Sequence, residues 1–245
     1  MSELLVFIAV GALAQLVDGA LGMAYGVTSA GLLMGLGMPP VAASASVHYA
    51  ETFTCGASGI SHLLAGNVRR PLFLALAIPG TLGALLGVLI ATHIPPAWMR
   101  MLMAPYLLGM GLFLLFRSTR KPGQRSDVPR GSATMGLCAG FVDAIGGGGW
   151  SALTASILMA RGVPPRAAIG SVHLAKCVVS MAASVSFLLT IGSSHLSAVA
   201  GLILGGVLAA PFGALFIRRI PSRVATLLAG GAVLALGINN TLWLL

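Results

Sequence analysis

The sequence predicts an all-α polytopic membrane protein made of two inverted structural repeats, each a broken, re-entrant helical hairpin followed by three transmembrane helices. Three observations predict it. The chain of 245 residues is 57% hydrophobic and only 8% charged, where a soluble domain carries roughly 25% charged residues. Residues 17–50 recur, without a gap and at a constant offset of 125, as residues 142–175. The basic residues sort to one side of a bilayer only if the first segment of each copy enters and returns.

Apolar runs bounded by Gly, Pro and Arg mark eight segments, at about 4–35, 40–65, 71–93, 97–117, 131–160, 165–191, 196–217 and 222–244. The first repeat spans 1–117, a basic linker fills 118–130, and the second repeat spans 131–245. The first 15 residues lack a basic n-region, so no cleaved signal peptide is expected. The repeat aligns Asp18 with Asp143, Pro39-Pro40 with Pro164-Pro165 and Ser46-Val47-His48 with Ser171-Val172-His173. Farther along the register slips by one, so that Gly66 meets Gly192 and Gly87 meets Gly213.

The first segment of each repeat is too long for one ordinary span, at roughly 45 Å if it were a straight helix. Each carries a glycine-rich break, Gly19-Ala20-Leu21-Gly22 in one copy and Gly146-Gly147-Gly148-Gly149 in the other. Consecutive glycines disfavour a continuous helix by about 1 kcal/mol each relative to alanine. A single tilted, kinked span is the competing reading. Charge separates the two. Eight full spans put Arg69, Arg70, Arg117, Arg120, Lys121, Arg125 and Arg130 on the linker side and Arg100, Arg161, Arg166, Arg218, Arg219 and Arg223 on the other, which is no bias. Two hairpins move all but Arg100 to the linker side, leave Lys176 inside the membrane, and make the linker cytoplasmic.

The net charge of +9 sits in short loops, as expected for anchoring to anionic lipid, and no soluble domain offers a basic face to nucleic acid. Cys55, Cys138 and Cys177 lack metal-ligand spacing and are expected to be reduced packing residues. No His-Glu-x-x-His, Walker loop or Gly-x-Ser-x-Gly occurs, so no enzyme, cofactor or metal is expected.

Ionisable residues within membrane segments are functional candidates by default. Asp18 and Asp143 precede the breaks and are read either as caps of the following half-helix or as coupling groups. Gly22 and Gly146, Gly147, Gly148 and Gly149 would present backbone N–H groups at the positive end of a half-helix, a seat for a small anion. Tyr25 and Trp150, placed one turn in, could add donors or merely pack. After each Pro-Pro corner stands a polar triplet, Ser46, His48 and Glu51 in one copy and Ser171, His173 and Lys176 in the other. Lys176 could supply charge to an anion while Glu51 or a histidine exchanges protons, or Glu51 and Lys176 could be an ion pair that locks the repeats. His62, Cys55 and Cys177 lie on the same helices, where they line the path or pack. His93 and His195 fall near span ends.

The paired Val-Asp start of each half, the Pro corner, the small-residue helix after it and the duplicated length resemble the TauE/SafE family of sulfite exporters over essentially the whole chain. The resemblance implies transport of a small sulfur-containing anion, such as sulfite, a sulfonate like sulfoacetate, or thiosulfate, across a bacterial inner (plasma) membrane. Together the residues and the resemblance predict a proton-coupled secondary transporter working by alternating access, with Gly22, Tyr25, His48, Gly146–Gly149, Trp150, His173 and Lys176 binding substrate. Asp18, Glu51 and Asp143 are then coupling or structural groups. Two alternatives stay open: an uncoupled anion channel, and a carrier of another small organic anion or of a cation held by Asp18, Glu51 and Asp143. The expected partners are the anion and membrane lipid, with a homodimer left open.

Overall fold

The computed structural model describes residues 2–21, 24–117, 128–192, 195–217 and 222–242. They form ten helices: α1 (Ser2–Leu21), α2 (Tyr25–Gly35), α3 (Pro40–Leu64), α4 (Arg70–His93), α5 (Pro96–Arg117), α6 (Ser132–Gly146), α7 (Trp150–Ala160), α8 (Pro165–Ile191), α9 (Leu196–Ile217) and α10 (Ser222–Leu242). Each long first segment is thus two helices, α1 with α2 and α6 with α7. The eight expected segments otherwise map one to one. Among the described residues, Arg70–His93, Pro96–Phe116 and Pro165–Ile191 are long and apolar enough to cross a membrane.

Local chemistry sets the boundaries. Pro40 and Pro165 open α3 and α8, where a fixed φ suits the first helical position and the missing N–H has no partner to lose. The second break holds Gly147, Gly148 and Gly149 at φ of 69°, 155° and 109°, a run that residues with a Cβ rarely adopt. Gly148 N–H closes the end of α6 on the Asp143 carbonyl at 3.1 Å. The first break begins later than expected. Gly19, Ala20 and Leu21 continue α1, because two glycines separated by good helix formers do not stop a helix as four in a row do. Gly22 and its neighbour Met23 lie outside the described residues.

The repeats interlock. α1 packs along α9 and α4 along α6, while α3 lies on α8 and α5 on α10. Small residues set these approaches. A Cβ on Gly11 would meet the Leu202 backbone, and one on Gly87 would meet Phe141 and Ala144. Such small-residue contacts are how membrane helices pack without a hydrophobic driving force between them. The α3–α8 pair runs antiparallel, with His62 beside Gly170 at one end and His48 beside Phe187 at the other. The α5–α10 pair is also antiparallel, Leu115 against Gly230 and Leu107 against Gly237. Equivalent helices of the two copies therefore point in opposite directions.

One hydrogen bond decides between hairpin and kinked span for α6–α7. Arg161 Nη1 donates to the Arg130 carbonyl at 2.8 Å, so the two ends of this segment meet. A single span would hold them roughly 45 Å apart. At the same end, Arg69 N–H donates to Ser171 Oγ at 2.9 Å. The loops bearing Arg69, Arg70, Arg130, Arg161 and Arg166 thereby gather at one end of the molecule. Linker residues 118–127, with Arg120, Lys121 and Arg125, and also Arg218 and Arg219, lie outside the described residues.

Candidate functional site

Both breaks are capped by their own aspartate. Asp18 Oδ1 accepts the N–H groups of Ala24 at 2.7 Å and Tyr25 at 3.0 Å, and Asp143 Oδ1 accepts that of Trp150 at 2.9 Å. A carboxylate at a helix N-terminus satisfies free donors and meets the positive end of the dipole. At these two N-termini, the anion is supplied by the protein itself. The breaks also touch one another, since a Cβ on Gly26 would press on the Cα of Gly148. Tyr106, from α5, donates its hydroxyl to the Gly148 carbonyl.

Beside the second break lies a buried quartet. Lys176 Nζ contacts Glu51 Oε2 at 2.8 Å and also Asp143 Oδ2. His48 Nε2 sits 3.2 Å from Asp143 Oδ2, while its Nδ1 lies 2.8 Å from the Ser44 carbonyl. Lys176 and the His48 ring thus hold the two buried carboxylates, as buried charges must be held by partners. Ser180 adds a hydroxyl donor to Glu51 at 3.4 Å. The donor atoms of His48, Glu51 and Asp143 lie within 4.8 Å of one another. That spacing could suit a metal ion, but the Lys176 ammonium already takes the place of a cation among them.

A cavity of about 640 Å³ opens next to the quartet, between α1, α3, α8 and α9. Its polar wall is made by Gln15, Asp18, Thr54, Ser58, Ser61, His62, Asn67 and His173. Asn67 Nδ2 donates to His62 Nδ1 at 3.2 Å, so a neutral His62 carries its proton on Nε2. His173 Nδ1 pairs with Ser58 Oγ at 2.7 Å. The two imidazoles meet edge to face with centroids 6.0 Å apart.

The structure thus brings His48, Glu51, Asp143 and Lys176 into one cluster and places Asp18 and His173 on the cavity. Tyr25 and Trp150 are the first residues of α2 and α7, one turn earlier than expected. Tyr25 donates its hydroxyl to the Leu202 carbonyl at 2.9 Å, and the Trp150 ring packs on Gly80. Trp150 Nε1 has no hydrogen-bond partner among the described residues. Gly146 and Gly149 pack against Tyr106, and Gly147 against Ala30 and Ser44.

Comparison with known proteins places this geometry. The profile of the family described as sulfite exporter TauE/SafE matches residues 7–240. The chain belongs to the TauE/SafE family. A relative described as a probable membrane transporter protein, YtnM of Bacillus subtilis (strain 168), is 39% identical over 243 residues, covering 96% of this chain and 81% of that protein. No solved structure matches. Membership makes the chain a multi-pass membrane transporter and not an enzyme.

Within this TauE/SafE protein, sequence reasoning missed Gln15, Thr54, Ser58, Ser61, Asn67 and Tyr106. The first five are single polar residues scattered over two helices and a loop, and nothing but the fold joins them. Asp18 gives an early test of what its carboxylate does. Asparagine keeps an oxygen that accepts from Ala24 and Tyr25, so Asp18→Asn should melt within about 0.5 kcal/mol of the parent in detergent, whereas Asp18→Ala should lose about 1–2 kcal/mol with its cap.

Proposed function

We propose that this protein is a proton-coupled secondary transporter of a small sulfur-containing anion (sulfite, an organosulfonate such as sulfoacetate, or thiosulfate), working by alternating access between inverted repeats in a bacterial inner membrane. The observation that carries the reading is the donor-rich cavity beside a buried quartet of ionisable side chains. A sulfur oxyanion presents several acceptor oxygens, and Gln15, Thr54, Ser58, Ser61, His62, Asn67 and His173 offer hydroxyl, amide and imidazole donors around one space. Asp18, the one carboxylate on that wall, already accepts two backbone N–H groups. A cation carrier would need Glu51 and Asp143 free as ligands, yet Lys176 engages both.

Each repeat is read as a re-entrant hairpin plus three spans. The antiparallel equivalents support inversion, and the Arg161–Arg130 contact supports the hairpin. The arginine-bearing end faces the cytoplasm by the positive-inside rule, which makes the cavity a vestibule open toward that side. Proton coupling falls to the quartet, because adding or removing one proton there unbalances it. Substrate entering the vestibule meets Asp18 and Thr54 before it meets Glu51 and Lys176.

Two measurements test this. Purified protein in liposomes should accumulate or release sulfite, sulfoacetate or thiosulfate when a pH gradient is imposed. Flux indifferent to the gradient would leave an uncoupled facilitator, and no flux of any of the three under either pH or voltage would remove the substrate class. For topology, cysteines placed at Arg69 and Arg161 should react with an impermeant maleimide from one side and a cysteine at Trp98 from the other. Arg161 labelling with Trp98 would return the segment to a single span.

A further inference from the structure

The internal repeat, applied to the α3–α8 contact, shows that the two ends of the pathway are chemically different. His48 faces Phe187 with ring centroids 5.8 Å apart, and His62 faces His173 at 6.0 Å. The offset of 125 turns one pair into the other: His48 becomes His173 and His62 becomes Phe187. The ring pairs correspond at the unslipped offset, ahead of the slip by one that brings Gly66 to Gly192. The same face then reads as three matches, two of them new. Thr54 becomes Val179, Ser58 becomes Ala183 and His62 becomes Phe187. The α3 members line the vestibule, while Val179, Ala183 and Phe187 are completely buried. Where Ser58 pairs with the His173 ring, Ala183 can offer nothing to His48, whose Nδ1 turns to the Ser44 carbonyl instead.

We infer that Phe187, backed by Val179 and Ala183, is a hydrophobic gate closing the end of the pathway opposite the arginine-rich loops, with His62 as its polar, open counterpart. The two ring pairs lie fourteen residues apart along α3, about 21 Å of helix, with Glu51 and Lys176 between them. A path from the vestibule past Glu51 and Lys176 thus ends on the Phe187 ring, packed on His48. Apolar constrictions of this kind exclude water and ions without a covalent barrier. Because the polar set sits on α3 and the apolar set on α8, opening costs differ at the two ends, so the scaffold is symmetric and the resting state is not. The inference rests on the transport reading for its purpose, but its geometry does not.

The test is cysteine accessibility in proteoliposomes, which needs no substrate. In a background with Cys55, Cys138 and Cys177 replaced, Ser58→Cys reports the vestibule and Ala183→Cys the closed end. Ser58→Cys should react with an impermeant methanethiosulfonate from the arginine-rich side in every Phe187 variant. Ala183→Cys should react from the opposite side at least tenfold faster once Phe187→Ala or the size-matched Phe187→His is added. Conversely, His62→Phe should slow Ser58→Cys at least tenfold, a measurement that does not depend on the Phe187 variants folding. Unchanged Ala183→Cys rates in Phe187 variants that keep normal Ser58→Cys labelling would overturn the gate, as would an unaltered Ser58→Cys rate in His62→Phe. Failure to move any sulfur anion would defeat the substrate proposal and leave these rates standing.

Discussion

Lys176→Ala is expected to be among the most damaging single substitutions in the chain, abolishing transport and lowering stability by about 3–5 kcal/mol, the usual loss when one partner of a buried ion pair is removed. The size of the effect follows from what remains. Glu51 and Asp143 are buried and both lean on the same ammonium. Without it, two buried carboxylates are left with only the His48 ring and the Ser180 hydroxyl to answer them. Thermal unfolding in detergent should show the loss directly. Neutralising a carboxylate at the same time separates folding from function. Lys176→Met with Glu51→Gln keeps Asp143 paired with His48 and removes one charge of each sign. That pair should recover at least half of the lost stability while transport remains insensitive to a pH gradient. Recovery of both stability and gradient response would assign the quartet a purely structural role.

The main features of the fold could be read from the sequence because they are written in residue types with strong local preferences. Pro-Pro corners set where α3 and α8 begin, and four successive glycines made the second break unmistakable. The first break shows the limit of the same reasoning: Gly19 and Gly22 are too sparse to reveal that the helix continues through Leu21. Orientation came from counting arginines, and the Arg161–Arg130 hydrogen bond agrees with that count for α6–α7. The site was less legible. Glu51 and Lys176 at matched positions suggested a pair between the repeats, but the Asp143 contact to the same lysine crosses between helices in a way no spacing encodes. The vestibule was harder still, since Ser58, Ser61 and Asn67 look like ordinary packing or loop residues. A trace of it was present in the repeat itself, where Ser58 and His62 stand against Ala183 and Phe187. That mismatch acquires meaning only when the two faces are known to meet.

Gly148→Ala should be nearly as disruptive as the lysine change, and for a reason unrelated to charge. Gly148 has φ of 155°, at the edge of the range that side chains avoid, and its added Cβ would collide with the Gly26 and Val27 backbone. Backbone atoms of a helix start cannot swing aside as a flexible side chain can. The break would have to separate from α2, pulling Gly149 from Tyr106 and Trp150 N–H from Asp143 with it. Strain at such a residue costs on the order of 1–3 kcal/mol, and overpacking adds about 1–3 kcal/mol, so a loss of about 2–6 kcal/mol is expected. Gly37 is the control. Its φ is 91°, yet a methyl group added there would meet nothing within 4 Å, so Gly37→Ala isolates the conformational part and should cost no more than about 1–2 kcal/mol. Unfolding midpoints of the two variants measured side by side give the difference that belongs to contact between the breaks. Equal losses would mean that the breaks do not bear on one another. The larger loss at Gly148, joined to disturbed transport, would tie the touching breaks to the movement of one repeat against the other.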